Sequence, residues 1–257
     1  MAILADTWTM TKRSLRHTIR SMDTIITVVL MPIAMMLLFV YVFGGAIGQQ
    51  TGSLSYIDFI TPGIIVMTVV SGIAYAAVRL SMDQQGGVIN RFRTMPVAPS
   101  SILGGQAASS TLSSLVSSAL VLGVAFAVGF RTKAPLSDWL MFAGLLVLFT
   151  LATTWLAIFF GLIAKSMEGA GAFSYILLLL IFISPAFVPT HSMSPWLRAF
   201  SNHQPMTPIV ETMRSMLTSG SVGSSGWVAL AWSAGILVVA YLLSLSMYQR
   251  KTAVVNA

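Results

Sequence analysis

The sequence predicts an all-α membrane protein of six transmembrane helices, with an amphipathic interfacial helix in front and short re-entrant or capping helices between spans five and six. Three observations predict it. Of 257 residues, 56% are hydrophobic and only 8% charged, whereas soluble domains carry about 25% charged residues. The apolar residues fall into runs of about twenty, the length at which a helix crosses a bilayer. Short polar loops separate those runs, and the basic residues gather on alternate loops.

Residues 1–23 read as the interfacial helix. At 100° per residue Leu4, Trp8, Thr11, Leu15, Ile19 and Met22 share one narrow face, and Arg13, Arg16 and Arg20 lie opposite. Such a helix lies in the interface with Trp8 and Leu15 in lipid and its arginines toward headgroups or a partner. Residues 24–257 then form one six-helix transmembrane domain. Its first span covers about 24–47, with Pro32 near one end and Gly44 and Gly45 near the other. The second covers about 59–80, with Pro62 expected in its first turn, where a missing N–H costs little.

A polar interruption follows, from Met82 to Ser101, holding Asp83, Gly86, Gly87, Arg91, Arg93, Pro96 and Pro99. Gly86 and Gly87 can break the span, Val88 to Thr94 is long enough for two helical turns, and the prolines stop that helix before span three. Span three, about 106–130, carries the pairs Ser109–Ser110, Ser113–Ser114 and Ser117–Ser118. A small polar stripe of this kind serves close helix packing or the wall of a transport path. Span four is expected at about 140–164 and span five at about 170–188, ending at Pro185 and Pro189. Residues 190–227 are too polar to span and too apolar for disorder. Two short helical patterns there, 195–202 and 208–218, read as an outer cap or half-inserted helices, because non-helical backbone at membrane depth must be covered by protein or face water. Span six covers about 227–248.

Counting basic residues orients the chain. With both termini cytoplasmic, the inner segments hold Lys12, Arg13, Arg16, Arg20, Arg79, Arg91, Arg93, Lys165, Arg250 and Lys251, and the outer ones Arg131, Lys133, Arg198 and Arg214. Basic residues favour the cytoplasmic side, which indicates a multi-pass protein of the plasma membrane. In this setting the formal charge of +7 reflects loops facing anionic lipid, so nucleic acid is not an expected partner.

Several chemistries lose support. No predicted span carries an acid or a histidine in its interior, which disfavours proton- or sodium-coupled carriage. No Gly-Lys pair occurs, so the chain has no P-loop with which to bind ATP. His191, His203 and Glu211 fit no helical metal-ligand spacing, the serines have no neighbouring base to activate them, and cysteine is absent. No catalytic, cofactor or metal residue is expected. A passive channel or an assembly scaffold stays open beside driven transport.

The segment from Asp83 through Gly87, Arg91, Phe92 and Arg93 to Pro96 resembles the one after the second span of ABC-2 type transporter permeases, especially their daunorubicin-resistance subgroup. The run Lys165-Ser-Met-Glu168 is similar, as are Ala186-Phe-Val-Pro189, Met193 to Leu197 and Gln204 to Val210. The likeness runs along essentially the whole chain. It implies a permease that forms a two-fold dimer, each copy joined to one of two cytoplasmic ATP-binding subunits on which ATP and Mg are bound. It also implies that Asp83, Gly87, Arg91, Phe92, Arg93 and Pro96 form the coupling segment, with Arg13, Arg16, Lys165 and Glu168 beside it. Arg91 and Arg93 would pair with acids of that partner or with lipid phosphate. Substrate would pass between the copies along spans one, two and five, where Phe39, Tyr41, Tyr75, Phe173, Phe182 and Phe187 either line the path or contact lipid and neighbouring helices. The expectation is export of an amphipathic or hydrophobic substrate, a drug, a lipid or a lipid-linked molecule.

Overall fold

The computed structural model describes residues 26–48, 51, 54–85, 99–164, 166–218 and 222–255, and among them every regular element is helical. The helices are α1 (Ile26–Ile47), α2 (Tyr56–Gln85), α3 (Pro99–Val128), α4 (Leu136–Ile163), α5 (Met167–Ile183), α6 (Pro195–His203), α7 (Met206–Thr218) and α8 (Ser225–Val255). Five of these, α1, α2, α3, α4 and α8, are long and apolar enough to cross a membrane, and α5 is a shorter apolar helix. The expected helix at 1–23 lies outside the described residues.

Helix α2 is the axis of the bundle. Every residue from Phe59 to Val70 is buried, so the helix is enclosed on all sides, as a helix apolar all round its circumference should be. It packs against α1, α3, α4, α5 and α7. Close approach is arranged with small residues: a Cβ on Gly72 would lie 2.7 Å from Ser114 Oγ of α3, and one on Gly161 of α4 would lie 2.9 Å from the Ala77 carbonyl. Without hydrophobic drive between helices in lipid, such backbone proximity is what van der Waals packing can use. The serine stripe of α3 is spent here, since Ser109, Ser114, Ser117 and Ser118 are buried. The hydroxyls of α2 and α4 fold back on their own helices, Thr61 on the Ile57 carbonyl, Thr68 on Ile64, Thr150 on Leu146 and Thr153 on Phe149. In an apolar medium that satisfies each one locally.

The peripheral helices touch this core along narrow stripes. Helix α1 buries Val28, Pro32 and Met36, four residues apart, and leaves most of its surface open. Its hydrogen bonding widens to the π pattern before Pro32, at Ile26–Leu30, and again at Phe39–Phe43. Helix α8 lies on α4 through Ala229, Ser233, Ala240 and Ser244, all buried, and the Ser244 hydroxyl donates to the Trp155 carbonyl at 3.3 Å. Helix α3 stops at Gly129, whose φ of 126° lets its own N–H and that of Phe130 return to the Ala125 carbonyl.

Helix α2 begins a turn earlier than its hydropathy suggests, at Tyr56, so Pro62 sits inside the helix rather than in its first turn. The early start follows from the Ser55–Asp58 contact: the Ser55 hydroxyl donates to the Asp58 carboxylate at 2.5 Å, and that carboxylate accepts the Arg131 N–H at 3.0 Å. Helix α5 ends at Ile183, five residues short of the span expected there, because Pro185 cannot continue the ladder. Its 17 residues rise about 25 Å. It nevertheless runs alongside α2, from the level of Val78, 3.2 Å from a Cβ on Gly171, to that of Tyr56, whose hydroxyl meets the Phe187 carbonyl.

One end of the bundle therefore holds 48, 51, 54–55, 129–135, 184–218 and 222–224, with α6 and α7 as a cap. Gly161→Val is expected to push α2 and α4 apart and to cost about 1–3 kcal/mol, seen as a lower thermal unfolding midpoint in detergent. Gly123→Ala, where nothing lies within 4 Å of an added Cβ, should instead leave the midpoint equal or raised, since a helix interior gains up to about 1 kcal/mol from the change.

Candidate functional site

The capped end is built around a break in a helix. After α5 the backbone turns non-helically through Ser184, Pro185, Ala186 and Phe187, all of them buried. Carbonyls released there cannot turn to lipid, where an unsatisfied polar group costs several kcal/mol. Side chains from other elements meet them. Gln204, between α6 and α7, donates its amide to the Leu180 carbonyl at 2.8 Å. The Tyr56 hydroxyl of α2 donates to the Phe187 carbonyl at 3.2 Å. Thr132 holds the Leu217 carbonyl at the end of α7.

Arg214 of α7 closes the set. It is only 9% exposed. Its Nε donates to the Phe59 carbonyl at 2.9 Å and its Nη2 to the Pro185 carbonyl at 2.5 Å. The guanidinium also lies over the Phe59 ring, 3.8 Å from its centroid, a favourable cation–π geometry. Burial pushes Arg214 down to about 10, and the charge of Glu211 one turn earlier pulls the other way. It therefore stays cationic at neutral pH. Partial burial raises the Glu211 carboxyl, and Arg214 opposes that shift.

Beside this stitched turn runs an aromatic seam. Phe39 of α1 stacks on Phe187, with centroids 4.7 Å apart and planes 12° apart, and Phe187 stacks on Phe182 of α5 at 5.0 Å. Phe43 extends the row from Phe39 at 5.6 Å. The middle of the row is buried, with Phe187 at 2% exposure, and its ends are open, with Phe182 at 45% and Phe43 at 41%. The row is apolar and carries no charged side chain.

Of the aromatic residues expected to line a path, Phe39, Phe182 and Phe187 are thus brought into one row. The other three lie apart. Tyr41 projects from α1 at 72% exposure, Tyr75 is half-buried on α2, and Phe173 is buried and stacks on Phe160 of α4 at 4.2 Å. At the opposite end of the bundle, Asp83 falls in the last turn of α2. Glu168 is exposed in the first turn of α5, just after Ser166, whose hydroxyl caps the Gly169 N–H at 3.0 Å. Gly87, Arg91, Phe92, Arg93, Pro96, Arg13, Arg16 and Lys165 lie outside the described residues. Arg214 and Gln204 were not expected as site residues. The one available signal was a single arginine, three residues after Glu211, among the apolar residues of a 13-residue helix.

The structure is thus a polytopic helical bundle with a broken, side-chain-sealed helix at one end and an apolar aromatic seam beside it. The chain belongs to the ABC-2 type transporter family, which it matches over residues 5–218, and is a transmembrane subunit of an ABC transporter. It is 30% identical over 234 residues to the daunorubicin resistance ABC transporter permease protein DrrB1 of Streptomyces coeruleorubidus, covering 89% of this chain and 81% of that one. Similarity extends to the probable doxorubicin resistance ABC transporter permease protein DrrC of Mycobacterium tuberculosis, 27% identical over 92% of this chain and 85% of the relative. The inner membrane transport permease YadH of Escherichia coli is 26% identical over 85% of this chain and 86% of its own length.

Phe187→Ala should remove both stacks at once and cost about 3–5 kcal/mol, as for a buried phenylalanine in a packed core. Tyr41→Ala should change stability by no more than about 0.5 kcal/mol. Thermal unfolding of the two purified variants in one detergent checks the contrast.

Proposed function

We propose that this chain is the permease subunit of an ATP-driven exporter that moves an amphipathic or hydrophobic molecule out of the cytoplasm. The observation that carries it is the similarity, over about nine-tenths of the chain, to permeases named for daunorubicin and doxorubicin resistance. The aromatic seam supports the substrate class, because a charge-free row of rings offers an ion little compensation for lost water. Six crossings are the reading adopted, with α5 and its turn as the fifth and both termini cytoplasmic. The capped end then faces outward.

Two copies would assemble with two ATP-binding subunits. The open surface of α1, where only 17% of the best spanning window is buried, supports a second copy beside α1 and α5, with the seam between them. Energy enters at the opposite end, through the segment from Asp83 to Pro96, the N-terminal helix with Arg13 and Arg16, and the turn with Lys165 and Glu168. ATP and Mg belong to the partner subunit.

Expressed with its ATP-binding subunit, the chain is expected to co-purify with it, and Arg91→Glu or Arg93→Glu to abolish either assembly or ATP-coupled flux of a drug in vesicles. Intact assembly and flux in both variants would remove the coupling assignment. Flux that needs no ATP would mark a passive channel, and a complex whose ATP hydrolysis no substrate stimulates would mark a scaffold. Because the chain lacks cysteine, Lys133→Cys should react with a membrane-impermeant maleimide on intact cells. Protection there, with reaction only after lysis, would reverse the orientation.

A further inference from the structure

A proline-containing helix and a broken one face each other under α7. Phe59 stands in the turn before Pro62, where the α2 ladder lacks one N–H, and Pro185 stands in the break after α5. Between them the backbones touch. A Cβ on Gly63 would lie 2.7 Å from Ala186 Cβ and 2.8 Å from its carbonyl oxygen, so only glycine admits this approach. The guanidinium of Arg214 joins α2 to the break after α5 with two donors of one rigid plane. We infer that Arg214 is the latch of the exit gate: it locks the turn after α5 and the α6–α7 cap onto α2, and the cap opens when α2 shifts at Pro62 and withdraws the Phe59 carbonyl.

Three other ties hold the cap to the bundle, each single and uncharged: Gln204 to Leu180, Tyr56 to Phe187 and Thr132 to Leu217; the charged Arg198 binds only carbonyls of 190–193, within the capped segment. Hydrogen bonds from a charged donor are roughly twice as strong as neutral ones. Among these ties Arg214 alone joins three elements. Pro185 and Pro189 break the backbone between α5 and the cap, so the cap is not continuous with α5 and can move once its ties release. Lysine would not replace the arginine, because a compact ammonium provides neither the planar fork nor the stacked contact on Phe59. Arg214 acts here as a positioning residue, and the inference rests on the exporter reading above.

The test uses the whole complex with its ATP-binding subunit. Ser184 is fully buried in the turn, and Ser184→Cys is close to isosteric in a chain without other cysteines. Labelling by a membrane-impermeant maleimide from the capped side is expected to be slow at rest and to rise about tenfold or more when ATP and vanadate trap the turnover state, the factor that one charge-assisted hydrogen bond is worth. With Arg214→Gln the rate should be high with or without nucleotide, while ATP hydrolysis persists and export per ATP falls. Arg214→Lys, which keeps the charge, should give intermediate rates. Gly63→Ala, which leaves Arg214 in place and wedges Ala186 off α2, should also label independently of nucleotide. Labelling of the lysine or glutamine variant indistinguishable from the parent overturns the latch while leaving the exporter reading intact. A parent whose labelling ignores ATP overturns the gate itself, and the exporter reading is then judged by flux.

Discussion

A helix broken inside the protein releases carbonyls that must find donors there, and the arrangement of this protein's capped end follows from that single demand. Helix α5 stops at Ile183 because of Pro185, and its last carbonyls must find donors inside the protein. Arg214, Gln204 and Tyr56 provide them from three other segments. Each donor has to be carried to the break by its own element. That is why α7, although only 13 residues long, is buried over most of its surface against α2, α4, α5 and α8.

The same demand explains the central place of α2. Where it is enclosed, from Phe59 to Val70, the helix has no lipid-facing stripe; it fills the core with large apolar side chains such as Ile60, Ile64 and Ile65, while glycines set its closest backbone approaches. The capped end adds the Phe59 carbonyl and Gly63 to those contacts, so the turn after α5 rests on the axis of the bundle and not on its rim. Peripheral α1 and α8 are held by one stripe each. The protein is therefore packed most densely around α2, with α1 lightly tied at its edge and α8 laid along α4.

Much of this was legible from residue order. The apolar runs mark α1, α2, α3, α4 and α8 because bilayer thickness sets a length that composition alone reveals. Pro185 and Pro189 mark the end of α5, and the patterns at 195–202 and 208–218 mark α6 and α7 within a few residues. The start of α2 was not legible, since the Ser55–Asp58–Arg131 contact that extends it joins residues more than 70 positions apart. Arg214 looked like one more outer-loop charge, because its partners are backbone carbonyls, and a carbonyl has no letter in the sequence.

By itself the sequence determined the class of the protein, its lipid environment, the order of its spans and the family to which it belongs, because hydropathy, proline and local motifs are properties of neighbouring residues. Only the tertiary structure decided which rings form the seam, joining Phe39 to Phe187 and leaving Phe173 on Phe160. It alone decided that Gly63 receives Ala186 and that Arg214 bridges Phe59 and Pro185. Those contacts depend on how helices far apart in the chain rotate and slide against one another, and packing sets that geometry once the helices are assembled.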